Sequence, residues 1–85
     1  MADRALMKDQ MIAIADIYVP AKKRGPVDPA KVDALAASIL ENGQQSPILV
    51  RRDDKRYVLV EGLHRLEACK ALGESKIACL IVQAR

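Results

Sequence analysis

The chain has 85 residues, enough for one domain with a modest core and too few for two. Apolar residues make up 51% and aromatic ones 2%, with no Trp or Phe, so the core must come from Ile, Val, Leu and Ala, and stacking against bases has only Tyr18 and Tyr57 to use. Fourteen Lys and Arg against eleven Asp and Glu leave a net charge of +3, a mild bias that suits an anionic partner without requiring one.

Residues 1–10 are read as an N-terminal extension and 11–85 as the domain. Asp3 and Asp9 interrupt the apolar run that a signal peptide needs, and no segment approaches transmembrane length, so a soluble cytoplasmic protein with no membrane contact is expected. Met11 to Ile17 is apolar-rich and predicts a first strand; Tyr18 to Asp28 follows as a loop punctuated by Pro20, Gly25 and Pro26. Asp28 has the chemistry of a helix N-cap, and Pro29 suits the first helical position, where a missing amide costs nothing. Val32, Leu35, Ala36, Ile39 and Leu40 recur at three- and four-residue steps, which predicts one apolar stripe, and Gly43 supplies a left-handed stop.

Ile48 to Arg52 and Arg56 to Val60 are β-rich runs separated by Asp53, Asp54 and Lys55, a loop of hairpin length without glycine. They predict an antiparallel pair. A second helix is expected from about His64 to Leu72, closed by Gly73, and a final strand from Ile77 to Val82 whose apolar residues on both faces place it inside the sheet. The expected fold class is α+β: a small mixed sheet in the order β-α-β-β-α-β, packed with two helices. Cys69 and Cys79 lie ten apart in apolar periodic segments, which suits buried free thiols in a reducing compartment and gives no metal spacing.

The segment richest in chemistry is Glu61-Gly62-Leu63-His64-Arg65-Leu66-Glu67. It joins a strand-like run to a helix-like one. A glycine there permits a tight turn, and the first free amides of the helix carry partial positive charge outward, which is an anion site. His64 and Arg65 add an imidazole and a permanently charged guanidinium to it. The same residues also fit an ordinary turn followed by two solvated side chains, because Gly-X-His-Arg has no special spacing. Glu61 and Glu67 are the nearby carboxylates, each a candidate base or magnesium ligand. Glu67 equally fits a structural role in the first turn of the helix, paired with Arg65 or Lys70. Lys22-Lys23-Arg24, Arg51-Arg52 and Lys55-Arg56 are either solvated loop charges or a phosphate-tracking surface, offset in part by Asp53 and Asp54.

The run Glu41-Asn42-Gly43, then Ser46-Pro47-Ile48-Leu49-Val50-Arg51, a short hairpin, Val60-Glu61-Gly62-Leu63-His64-Arg65-Leu66-Glu67-Ala68 and a closing strand resembles the ParB/sulfiredoxin-like domain, that is, the ParB N-terminal or ParB-like nuclease family. The resemblance covers about 11–83. It implies that Gly62, Leu63, His64 and Arg65 wrap the phosphates of a nucleotide, with CTP or ATP and Mg2+ as the expected ligands. It also points to Gly43, Gln44, Gln45, Ser46 and Pro47 as the other wall, where Gln44 and Gln45 either read a base or sugar or are exposed loop amides. Lys22, Lys23 and Arg24 are a second source of anion contacts.

Two departures shape the functional expectation. The sulfiredoxin branch carries its catalytic cysteine just before the His-Arg pair, and here that residue is Leu63, so sulfinic-acid reduction is not expected. The partition branch usually reads Gly-Glu-Arg-Arg and continues into a helix-turn-helix, whereas this sequence reads Gly-Leu-His-Arg and stops at Arg85. The expected function is therefore a bacterial nucleotide- or phosphate-binding module, regulatory or tied to DNA partition in plasmid or phage systems, without a helix-turn-helix of its own. A nucleotide-hydrolysing or phosphotransfer enzyme of the same fold, with Glu61 as its candidate catalytic group, is the first alternative. A DNA-binding accessory protein that works through a partner chain or a basic surface is the second. A homodimer is among the expected partners. No metal site built from protein groups alone is expected.

Overall fold

The computed structural model describes residues 9–44 and 46–82. Its elements are β1 (Gln10–Ala13), a 3-10 turn (Ile14–Asp16), β2 (Ile17–Tyr18), a second 3-10 turn (Ala21–Lys23), α1 (Pro29–Asn42), β3 (Ile48–Asp53), β4 (Arg56–Glu61), α2 (Leu63–Ala71) and β5 (Lys76–Ile81). They form one five-stranded sheet in the order β1-β5-β3-β4-β2, with two helices. The α+β class and the run from α1 to β5 agree with the pattern read from the sequence.

The start of the domain differs. The apolar run from Met11 to Ile17 is not one strand but two, split by the 3-10 turn. β1 pairs antiparallel with β5, with Ile12 opposite Ile77, whereas β2 pairs parallel with β4, with Ile17 opposite Tyr57. The two halves thus sit on opposite edges of the sheet. The four residue steps from Ala13 to Ile17 reach at most about 14 Å, while four flat strand spacings would span about 19 Å, so the sheet has to curl toward a partly open barrel. Apolar periodicity reports burial, and both halves are partly buried; it carries no record of which edge each half joins.

Cross-strand register sorts the side chains into two faces. Ile12, Ile77, Cys79, Ile48, Val50 and Leu59 share one face and are buried, joined by Leu66 and Cys69 of α2. This core holds no aromatic ring beyond the half-buried Tyr57 at its margin, as the composition demands. β5 lies between β1 and β3, an interior position that agrees with its apolar residues on both faces. The β3–β4 hairpin closes through Asp54 and Lys55, and Asp54 takes the left-handed conformation at φ 56°, which a short polar side chain tolerates in place of glycine. Arg56 lies 4.1 Å over the ring of Tyr18 and fastens the two-residue β2 to the neighbouring strand.

α1 begins as its sequence indicates. The Asp28 carboxylate accepts a hydrogen bond from the amide of Ala30, Pro29 opens the helix, and Gly43 ends it at φ 77°. Yet none of its residues is buried, and Leu40, assigned to the apolar stripe, is 77% exposed. The helix packs against α2 rather than directly on the sheet, so its stripe is only half covered. α2 is the helix seated in the curl, with Leu66, Ala68 and Cys69 fully enclosed.

Candidate anion-binding site

The site lies where β4 turns into α2. Gly62 ends the strand with φ 117° and ψ 29°, a conformation that a side chain disfavours, and an added Cβ would stand 2.6 Å from Ile48 Cγ2 and 2.8 Å from Ile48 Cβ. Glycine is thus required twice, once by the backbone turn and once by β3 passing directly beneath it. The first bond of α2 runs from the amide of Leu66 to the carbonyl of Gly62 at 2.9 Å. The amides of Leu63, His64 and Arg65 therefore have no acceptor within the helix and present the positive end of its dipole.

These residues line a cleft of about 510 Å3 together with Glu61, Pro47, Leu49 and Leu35. Its chemistry is two-sided. Free amides, His64 and Arg65 form a donor end, while Leu35 from α1, Pro47 from the loop and Leu49 from β3 form an apolar wall. Arg65 is half-buried and has no carboxylate partner among the described residues, whose ion pairs are Arg56 with Asp53 and Lys70 with Glu67, each at 3.5 Å. A cation left unpaired beside a helix N-terminus favours a bound anion. Glu67 pairs with Lys70 rather than Arg65, and because α2 starts at Leu63 it falls beyond the first turn, where the sequence reading places it. Glu61, exposed at the end of β4, is the one carboxylate lining the cleft. Among the described residues no group of three or more His, Cys, Asp or Glu is placed to hold a metal ion.

The remaining sequence candidates lie elsewhere. Gln44 donates to the carbonyls of Ser46 (2.9 Å) and Ala78 (3.0 Å) and accepts from the amide of Ala78 (2.8 Å), so both its donors and one acceptor position are spent on the backbone. It stands in for a strand residue beside β5, just before β3 begins. Gly43 and Ser46 are exposed and do not line the cleft, and Gln45 lies outside the described residues. Arg24 donates to the carbonyl of Val19 at 3.0 Å and borders an adjoining hollow of about 360 Å3 with Val19, Val27, Leu63, Glu67 and Lys70. Lys22 and Lys23 are exposed on the second 3-10 turn and do not line the cleft. Leu35 and Leu49 were legible as apolar residues of a helix and a strand, but nothing in their spacing marked them as walls of a site.

No thiol lines the cleft. Leu63 stands before the His-Arg pair and packs against the core. Cys69 and Cys79 are buried and unpaired; burial pushes the Cys69 thiol up, aided by the Glu74 carboxylate and opposed by Arg65, and pushes Cys79 up to about 11, with smaller contributions from Asp9 and Cys69. Both stay protonated and unreactive near neutral pH. No described helix is long and apolar enough to cross a membrane.

Comparison with known proteins adds a lineage to this geometry. A family model described as the ParB N-terminal domain matches residues 3–85. The chain is 39% identical over 62 residues to a probable chromosome-partitioning protein ParB of Campylobacter jejuni, a match that covers 73% of this chain and 22% of that protein. The chain thus spans about a fifth of that relative's length. The crystal structure of sulfiredoxin from Arabidopsis thaliana superposes with a TM-score of 0.82 at 33% identity, covering 89% of this chain and 85% of that one. A C-terminally truncated chromosome-partitioning protein ParB from Caulobacter crescentus, complexed with CTP-gamma-S, superposes with a TM-score of 0.78 at 23% identity, covering 91% of this chain and 45% of that one.

Proposed function

This chain belongs to the ParB N-terminal domain family, and from that membership and the two-sided cleft we propose that it is a nucleotide-binding module. The observation that carries the reading is the meeting, at one strand-to-helix turn, of three free amides, His64 and Arg65, which has no carboxylate partner among the described residues, with an apolar wall large enough for a base or sugar. Phosphates would lie against Gly62, Leu63, His64 and Arg65. The Caulobacter relative's complex with a CTP analogue supports a ribonucleoside triphosphate, CTP before ATP, as the first ligand to try. The donors present fit such phosphates. Mg2+ would be held by Glu61 and the ligand's own oxygens, since a single carboxylate with phosphates suffices for that ion.

The role we assign is binding and regulation in a partition-type system rather than turnover. Phosphoryl transfer depends on a positioned metal and a group that orients the nucleophile, and Glu61 alone would have to serve both ends. Sulfinic-acid reduction lacks its nucleophile, because Leu63 occupies the cysteine's place and the two thiols of the described residues are enclosed. A DNA-associated role is the second reading. It rests on the exposed cations Lys22, Lys23, Arg24, Arg52, Lys55 and Arg56, and a salt titration of DNA affinity tests it.

Arg65→Ala tests the main reading. A charge-assisted phosphate contact contributes about 1.5 to 3 kcal/mol, so calorimetric affinity for CTP should fall at least about tenfold while the thermal midpoint stays near that of the parent. Unchanged affinity would remove Arg65 from the site and with it the phosphate assignment.

A further inference from the structure

We infer that the backbone of Asp28 holds His64 as the neutral Nδ1–H tautomer, making the imidazole a fixed donor to the ligand and a tie between α1 and the anion site. Its ligand half rests on the nucleotide reading above; its tautomer half does not.

The Asp28 amide donates to His64 Nε2 at 3.1 Å across 36 residues of sequence. A ring nitrogen that accepts carries no hydrogen, so the proton of the neutral ring sits on Nδ1, the reverse of the form favoured in free histidine. Asp28 is committed on its other sides. Its carboxylate accepts from Ala30 and its carbonyl accepts from Val32, which leaves the amide as the group that meets the ring. Nδ1 makes no hydrogen bond among the described residues, and His64 lines the cleft beside the free amides of α2. The result is an uncommitted N–H on a ring that lines the cleft, oriented by a bond to the ring's other nitrogen.

The same bond links two walls. Asp28 caps the helix that carries Leu35, the apolar flank of the cleft, and His64 belongs to the phosphate end. An acceptor at Nδ1–H makes Nε2 a better acceptor in turn, so ligand binding strengthens the hold on the start of α1. His64 is thereby a positioning residue for α1 as well as a ligand contact.

His64 is the only histidine of the chain, so its ring nitrogens give an unambiguous nitrogen-15 spectrum. In the ligand-free protein at mildly alkaline pH the expected pattern is a protonated Nδ1, a bare Nε2 and a scalar coupling between Nε2 and the Asp28 amide nitrogen. A protonated Nε2, or an averaged pair with no coupling, overturns the inference. The ligand half is read from two variants titrated with CTP. His64→Gln can accept from Asp28 and still donate, and should keep affinity within about threefold, whereas His64→Phe should lose about tenfold. Equal losses in both overturn the donor role. A parent protein that binds no nucleotide overturns the ligand half together with the proposed function, while the spectrum of the free protein still decides the tautomer.

Discussion

Gly62→Ala is the sharpest test of how the site is built. The new Cβ would meet Ile48 Cγ2 at 2.6 Å, Ile48 Cβ at 2.8 Å and Ile48 Cα at 3.3 Å, and the residue would have to keep φ near 117°. A non-glycine residue in such a region costs about 1 to 3 kcal/mol, and overpacking against an enclosed strand costs about 1 to 3 more. Together they remove about 2 to 6 kcal/mol from a domain whose whole stability is roughly 4 to 13 kcal/mol at this length. The midpoint of thermal unfolding should drop by about 8 °C or more, with a matching shift in urea. Ile48→Ala relieves part of the overpacking, because it deletes the nearest atom but leaves Ile48 Cβ at 2.8 Å and the backbone strain. Alone it costs about 2 to 5 kcal/mol as a cavity; combined with Gly62→Ala it should cost less than the sum of the singles by about 0.5 to 3 kcal/mol. If Gly62→Ala unfolds within about 0.5 kcal/mol of the parent, the close approach of β3 is not what reserves this position for glycine, and an additive double variant would clear Ile48 Cγ2 of the clash.

Three further outcomes follow from other parts of the molecule. Gln44→Ala leaves the amide and carbonyl of Ala78 without their side-chain partner, so chemical denaturation should show a loss of about 1 to 3 kcal/mol; a variant as stable as the parent would mean that water replaces the amide at no cost. Cys79 gives a pH dependence whose sign is set by burial. Its thiol ionises near 9.0 when unfolded and near 11 when folded, so the unfolded chain loses its proton first, and stability, undiminished below pH 9, declines as pH rises toward 11, by about 2 to 3 kcal/mol in total. Cys79→Ala should flatten that part of the stability profile, and an unchanged slope would place the titration elsewhere. Finally, purified protein with Mg2+ should release phosphate from CTP or ATP only marginally and show no peroxiredoxin repair. Robust turnover lost in Glu61→Gln and kept in Glu67→Gln would make this chain an enzyme.

Much of the site was legible because its donor end is contiguous. Gly62 to Arg65 follow one another where the continuous apolar run Tyr57 to Val60 gives way to a helix-like pattern, and a glycine at that junction marks a helix N-terminus from sequence alone. Of the wall, the family resemblance pointed to Pro47 alone; Leu35 and Leu49 were not legible, since they come from a helix and a strand whose meeting depends on how those elements stack. Gln44 illustrates the limit of side-chain chemistry. Its amide has donors and an acceptor suited to a base, but that capacity does not say which partner takes it, and the unpaired backbone of Ala78, 34 residues away, does so.

The sequence by itself determined the local elements: the Asp28 cap and Pro29 start of α1, its Gly43 end, the hairpin, the interior character of β5 and the buried state of both cysteines. Each depends on propensity, periodicity or a cap, and these act over a few residues. Only the tertiary structure decided that Met11 to Ile17 divides between two sheet edges, that α1 rests on α2 with its stripe half open, and that the Asp28 amide reaches His64. Those outcomes turn on backbone groups finding partners far along the chain. A buried or half-buried amide must be satisfied somewhere, but periodicity does not specify by whom.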